Sequence, residues 1–268
     1  EDHKKAKYIT VSSGKGGVGK TNFSVNMSHL LSKRGKKVLL FDADLGLANV
    51  DIILNISPKF NIRNYLEEFI SPSDLIIETD FGFDVIPSAS GFSSLTKLSQ
   101  EEYERFIDIF VFIDGKYDYI IFDAGAGISD NVMKFVAISD FNIVVTQGEP
   151  TAVTDAYALI KVANTEFGIK KVFLVINRVM DEKVAMTFFE NLRKVIFKFL
   201  DTEIVLLGFL MEDKNLISSV KNQKPLSAIN PNSAYIKSLS KVVNNLIGEK
   251  TVTDSALGIK EFFRRLVS

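Results

Sequence analysis

The sequence predicts an α/β protein built on a doubly wound, mostly parallel sheet with helices on both faces. Short β-branched or aromatic runs alternate with longer segments of helical period, and that alternation gives a parallel sheet. Several of the short runs lack polar alternation, as strands covered on both faces do. The residues able to carry chemistry fall at the C-terminal ends of those runs, where open α/β sheets bind ligands.

In chain order, the run KYITVSS predicts a strand over 7–13, followed by a helix over 19–34 whose end is rich in cations (Lys33, Arg34, Lys36, Lys37), as suits a helix C-terminus. KVLLFD predicts a strand over 37–42. Residues 55–80 are the least periodic part, with a short helix around Asn61–Phe69. Strands are expected at 83–86 (FDVI), 118–122 (DYIIF), 141–146 (FNIVVT), 171–176 (KVFLVI) and 204–210 (IVLLGFL). Helical-period segments at 99–114, 129–138, 151–166, 182–200, 212–221 and 232–247 fill the spaces between and after them. The one boundary is the polar, Gly-containing stretch Ile247–Thr253. The expected organisation is therefore one nucleotide-binding domain over 1–247, a linker over 248–253 and a C-terminal helix over 254–268.

Composition narrows the chemistry. The chain has 268 residues, no Cys and two His, which excludes thiolate metal sites and cysteine nucleophiles and argues against a His-based centre. With 32 basic against 33 acidic residues, no global field recruits nucleic acid. No run approaches the roughly 18 apolar residues of a membrane span, and no signal-peptide pattern follows Glu1. The chain opens without Met, so residues are expected upstream.

Gly14-Lys15-Gly16-Gly17-Val18-Gly19-Lys20-Thr21 follows the first strand and opens the first helix. It fits Gly, four residues, then Gly-Lys-Thr, a loop whose backbone N–H groups cradle phosphate oxygens at a helix N-terminus. Lys20 would reach the β- and γ-phosphates, and the Thr21 hydroxyl would hold Mg²⁺. The same residues read Gly14-x-Gly16-x-x-Gly19, a dinucleotide turn with Asp42 as its acid. Lys20-Thr21 is essential to the first reading and incidental to the second, so a nucleoside triphosphate is the expected ligand. Asp44 follows the second strand and Asp123 ends the strand Tyr119–Phe122. A carboxylate at such a tip can orient Mg²⁺, although Asp123 also reads as a helix cap.

Lys15 is unusual, since one bound nucleotide does not need a second loop lysine. Residues 14–21 resemble the deviant phosphate loop of the MinD/ParA-type ATPases, whose extra lysine reaches the partner's nucleotide across a dimer interface. The stretches Asp42–Asp51, Ile86–Gly91, Asp123–Asp130 and Glu149–Tyr157 resemble that family's flagellar branch, called FlhG, FleN or YlxH. The resemblance implies that Lys15 and Asp44 are catalytic, Asp44 by positioning the attacking water. It puts Thr21, Asp42 and Asp123 on the Mg²⁺ side and Asn177-Arg178 near adenine, with Glu212 and Asp213 also at the nucleotide. Asn can pair with a purine edge, while the residues alone also allow Asn177 as a turn cap and Arg178 as a solvated cation. Met211 stands where relatives often carry Pro, and Ala124 where Thr or Ser is commoner.

The implied function is an ATP-dependent dimerising switch with slow hydrolysis, controlling flagellar number or placement. Its implied partners are a second copy with ATP and flagellar assembly proteins: the GTPase FlhF, switch-complex proteins or a transcription activator. The alternative is a DNA- or division-site-positioning ParA/MinD ATPase, for which the cations Arg193, Lys194 and Lys198 are slender support, and direct DNA binding is not expected. A short Gln-containing activator motif that often precedes this branch is missing from residues 1–8. Thr151, Thr154 and Asp155 are expected on a partner surface. Over 254–268, helical spacing gathers Phe262, Phe263, Leu266 and Val267 on one arc and Lys260, Glu261, Arg264 and Arg265 on the other. Such a helix suits an anionic membrane surface or docking on the chain's own body. The membrane-targeting tail of the MinD branch favours the first, so the resemblance implies a chain in the cytoplasm, held peripherally and reversibly at the inner membrane.

Overall fold

The computed structural model describes residues 6–44, 49–67, 70–88 and 98–249. The C-terminal helix expected over 254–268 and the end of the linker lie outside them.

The strands are β1 (Lys7–Ser13), β2 (Val38–Ala43), β3 (Ile77–Glu78), β4 (Asp84–Ile86), β5 (Tyr119–Ala126), β6 (Phe141–Gln147), β7 (Lys171–Val179) and β8 (Glu203–Met211). The helices are α1 (Lys20–Ser32), α2 (Val50–Leu54), α3 (Ile62–Glu67), α4 (Gln100–Ile113), α5 (Asp130–Ile138), α6 (Pro150–Phe167), α7 (Glu182–Phe199), α8 (Asn215–Lys221), α9 (Leu226–Ile229) and α10 (Ala234–Gly248), with a 3-10 turn at Pro72–Leu75. They form an α/β fold around one eight-stranded sheet in the order β3-β4-β2-β5-β1-β6-β7-β8, parallel except for β3 against β4.

Alternation along each strand divides the core into layers. Ile9, Val11, Val38 and Leu40 face α1 and α10 on one side of the sheet. Tyr8, Leu39 and Phe41 face α3, α4 and α5 on the other, where α6 and α7 continue the layer over β6 and β7. Both sides are apolar, which is why the strands read as continuous hydrophobic runs. The second layer is aromatic: Phe122 lies 5.6 Å from Phe41 and 4.8 Å from Phe135 between ring centres. In β5 the alternation that buries Phe122 in this layer turns the next residue, Asp123, toward the loop after β1.

Every strand expected from the sequence forms, but three elements besides the 3-10 turn are additional. β3, α2 and α9 have two, five and four residues, too short for a period to declare itself. The helix expected over 212–221 begins only at Asn215, because Asp213 spends its carboxylate on the backbone N–H groups of Asn215 and Tyr235, at 2.9 and 3.4 Å. Among the described residues no helix is long and apolar enough to cross a membrane.

Candidate functional site

The loop between β1 and α1 turns on two glycines in the left-handed region, Gly17 at φ 76° and Gly19 at φ 97°. That geometry favours glycine, and at Gly19 a Cβ would also overlap Asn177 Nδ2. Gly14 is required for a different reason: a Cβ there would overlap the backbone carbonyl of Asp155, so α6 packs directly on the loop. Beside the loop opens a hollow of about 760 Å³. It is lined by Gly16, Gly17, Gly19, Lys20 and Thr21 from the loop and α1, by Asp44 after β2, by Gly125 in β5, and by Arg178. The structure thus gathers at one end of the sheet residues that stand far apart in the chain.

Asp42 and Asp123 are paired neighbours on β2 and β5, both buried. Asp42 accepts backbone N–H groups from Asp44 (3.2 Å), Asn49 (3.2 Å) and Val50 (3.3 Å). Burial and the charge of Asp123 outweigh those bonds and push its carboxyl up to about 8. Burial raises Asp123 as well, against Lys20, Thr21 and Ser24, whose hydroxyl donates at 2.8 Å. Two buried acids side by side repel, and a cation between phosphate and carboxylates would relieve the repulsion. Among the described residues no group of three or more His, Asp or Glu could hold a metal by itself. Mg²⁺ does not need one, since it binds through one or two carboxylates together with substrate phosphates and water. Thr21, Asp42 and Asp123 fit that role.

Asp44 is half-buried. Ser88 Oγ donates to its carbonyl at 2.9 Å, and a Cβ at Gly125 would touch its Oδ1 at 3.4 Å. The small residue at 125 therefore leaves room where the carboxylate faces the hollow.

Asn177 is buried. Its Nδ2 donates to the Val18 carbonyl at 2.7 Å and its Oδ1 accepts from Arg178 N at 2.8 Å. One N–H and one lone pair are left for a base edge, and the bonds already made brace the phosphate loop. Arg178 takes φ 56° at an irregularity of the β7–β8 ladder, and its guanidinium donates to the Gly17 carbonyl at 3.1 Å. A second hollow of about 340 Å³ joins Asn177 and Arg178 to Met211, Glu212, Asp213 and Tyr235. There burial alone would raise Asp213, but hydrogen bonds from Asn215, Tyr235 and Ser233 hold it below its ordinary value. Its carboxylate is thus engaged in joining α8 to α10, while Glu212 stays exposed.

Lys15 Nζ lies 3.0 Å from Glu149 Oε2. Reading the residues singly missed this contact, although an acid directly before Pro150 at a helix start was a signal. Ser24 was missed too; it lies one turn beyond Thr21 on the same side of α1.

A family model described as an AAA domain matches residues 6–172. The chain is 36% identical over 225 residues to the antiactivator FleN of Pseudomonas aeruginosa, covering 84% of this chain and 80% of that protein. It is 35% identical over 268 residues to the flagellum site-determining protein YlxH of Helicobacter pylori, covering 97% and 90%. Its fold matches that of the septum site-determining protein MinD complexed with Mg-ADP from Pyrococcus horikoshii, with TM-score 0.72 and 23% identity over 95% of this chain and 98% of that one.

Proposed function

Since the chain belongs to the MinD/ParA family of ATPases and resembles that family's flagellar members, we propose that it is a slow ATPase acting as a dimerising switch that sets flagellar number or placement. One observation carries the reading: a phosphate loop bearing a second lysine, Lys15, borders a hollow lined by Lys20, Thr21 and Asp44, and the buried Asp42–Asp123 pair lies behind it with Asp123 against Lys20 and Thr21.

In this reading Lys20 and the loop N–H groups of Gly16 to Lys20 hold the phosphates of ATP. Thr21, Asp42 and Asp123 hold Mg²⁺, which supplies charge neutralisation on the β- and γ-phosphates when bound. Asp44 orients the attacking water, and Asn177, Arg178 and the segment from Glu212 to Asp213 flank adenine. Lys15 leaves Glu149 and reaches the nucleotide of a second copy, so that closure and γ-phosphate sensing are one event. Hydrolysis removes that contact and the dimer parts.

The partners are flagellar assembly proteins (a GTPase, switch-complex proteins or a transcription activator), met by the ATP dimer. α6 is a fitting part of the surface that meets them, because Thr151 and Thr154 are exposed while Asp155 rests on Gly14. The segment 254–268 holds the dimer at an anionic membrane. Counting filaments per cell in the source organism with the gene deleted, then restored with an Asp44→Ala copy, tests the flagellar assignment. An altered number or position is expected in the deletion; wild-type filament counts would overturn it.

A further inference from the structure

α7 runs to the end of the sheet opposite the phosphate loop and shows two faces. Ala185, Phe188, Leu192 and Ile196 are buried against the sheet, yet Phe197 is 87% and Phe199 61% exposed. Exposed apolar residues scattered singly need no explanation. These two are next-but-one neighbours with cations beside them: Lys198 Nζ lies 5.1 Å from the Phe199 ring centre, and Lys194 is exposed one turn before. Arg193 is occupied by Glu190 at 3.5 Å and Asp201 by Lys170 at 2.9 Å. Among the described residues Lys194 and Lys198 have no ion-pair partner.

The place of this patch matters as much as its chemistry. Glu249, the last described residue, pairs with Lys171 at 3.0 Å, and Lys171 stands opposite Glu203 in the β7–β8 ladder. Glu203 lines the same shallow hollow, about 730 Å³, as Phe197 and Phe199. The last described residue therefore stands beside the patch, and the sequence after Glu249 includes the basic and aromatic stretch 254–268.

We propose that Phe197 and Phe199, with Lys194 and Lys198, are a second contact to an anionic lipid surface, made on the folded body beside the C-terminal segment. This rests on the reading of residues 254–268 as a membrane-binding segment. A lipid surface is the occupant that fits, because Phe197 stands 87% exposed at the side of a shallow, open hollow. A protruding ring needs no shape-matched pocket in the soft boundary of headgroups and acyl chains, and free ammonium groups beside it meet anionic headgroups. Two weak contacts on one body reinforce each other, since the second is made at high effective concentration once the first has formed.

The chain has no Cys, so a single cysteine carrying an environment-sensitive fluorophore reports one position. The full chain labelled at Phe197→Cys, and separately at Ser255→Cys, is mixed with ATP, Mg²⁺ and vesicles of phosphatidylglycerol and phosphatidylcholine, then with vesicles of phosphatidylcholine alone. Blue shifts at both positions on the anionic vesicles are expected. A shift at 255 without one at 197 overturns the second contact and leaves the tail reading standing; a shift at 197 alone supports the contact and rejects the tail. No shift at either position rejects both. A blue shift at 197 before vesicles are added, unchanged by them, means that the chain's own tail or a second copy covers the rings, and the proposal fails. As an independent readout, the unlabelled pair of substitutions Phe197→Ser and Phe199→Ser, both at exposed positions, is expected to sediment roughly tenfold less with anionic vesicles; unchanged sedimentation contradicts the contact.

Discussion

Lys15 and Glu149 form a 3.0 Å ion pair that ties the phosphate loop to the start of α6, with side chains 35% and 59% exposed. A pair that open contributes at most about 1 kcal/mol. It is a resting place for the lysine, and a dimer interface can readily displace it. Glu149→Gln is therefore expected to favour ATP-dependent association by no more than about fivefold, whereas Lys15→Ala is expected to bind ATP and remain a monomer. Lys20→Ala is expected to lose most nucleotide affinity. A nucleotide titration run beside light scattering separates the two lysines; equal loss of binding in both would reject a trans role for Lys15.

Asp44→Ala is expected to keep ATP binding and lower turnover by roughly 10²–10⁴, the usual worth of a group that positions water or takes its proton. Its backbone is held independently by Asp42 and Ser88, so the substitution should leave the loop in place. Steady-state phosphate release at saturating ATP is the check.

Asn177→Ala removes the side-chain bond to the Val18 carbonyl and leaves that acceptor without its donor. A buried group so orphaned costs about 1–3 kcal/mol, and ATP affinity is expected to fall roughly five- to hundredfold even though the loop sequence is intact. Calorimetric titration with ATP measures it. Unchanged affinity would mean that the loop is preorganised without Asn177.

His29 Nδ1 lies 2.8 Å from Ser227 Oγ inside the core, and burial, helped by Lys33, lowers its pKa. The folded state therefore binds fewer protons at this site than the unfolded chain. Its contribution is full above about 6.5, the unfolded value, and is lost as pH falls toward the folded one. Asp42, raised from 3.8 to about 8, acts in the opposite sense between those values, so the informative comparison is between variants. The signed change in urea midpoint from pH 5.5 to pH 7.5 is expected to be less positive, or more negative, in His29→Asn than in the natural chain; an identical signed change would remove His29 from the account.

Much of this architecture was legible because its signals are periodic. β1, β2 and β5 are buried on both sides, and in β2 and β5 the acids at the strand ends stand out as the polar exceptions. The loop glycines declared themselves as a motif, and the left-handed conformations of Gly17 and Gly19 supply a physical reason for it. What the sequence hid were relations between distant segments. Nothing local says that Gly14 must be small to admit the Asp155 carbonyl, or that Asn177 braces Val18 across 159 positions of chain. The two-residue β3 was hidden for want of length. Asp213 belonged to the expected nucleotide set, and its carboxylate proves to be engaged at the starts of α8 and α10.

The central claim is that ATP, and not ADP, joins two copies of this chain. Light scattering coupled to size exclusion tests it most directly, with Asp44→Ala used so that hydrolysis does not dissolve the complex. From a protomer of 29.9 kDa, the mass is expected to double with ATP and Mg²⁺, to stay that of one chain with ADP, and to stay so with ATP when Lys15→Ala is added. A single-chain mass for Asp44→Ala at saturating ATP, under conditions where nucleotide binding is demonstrated, would contradict the switch.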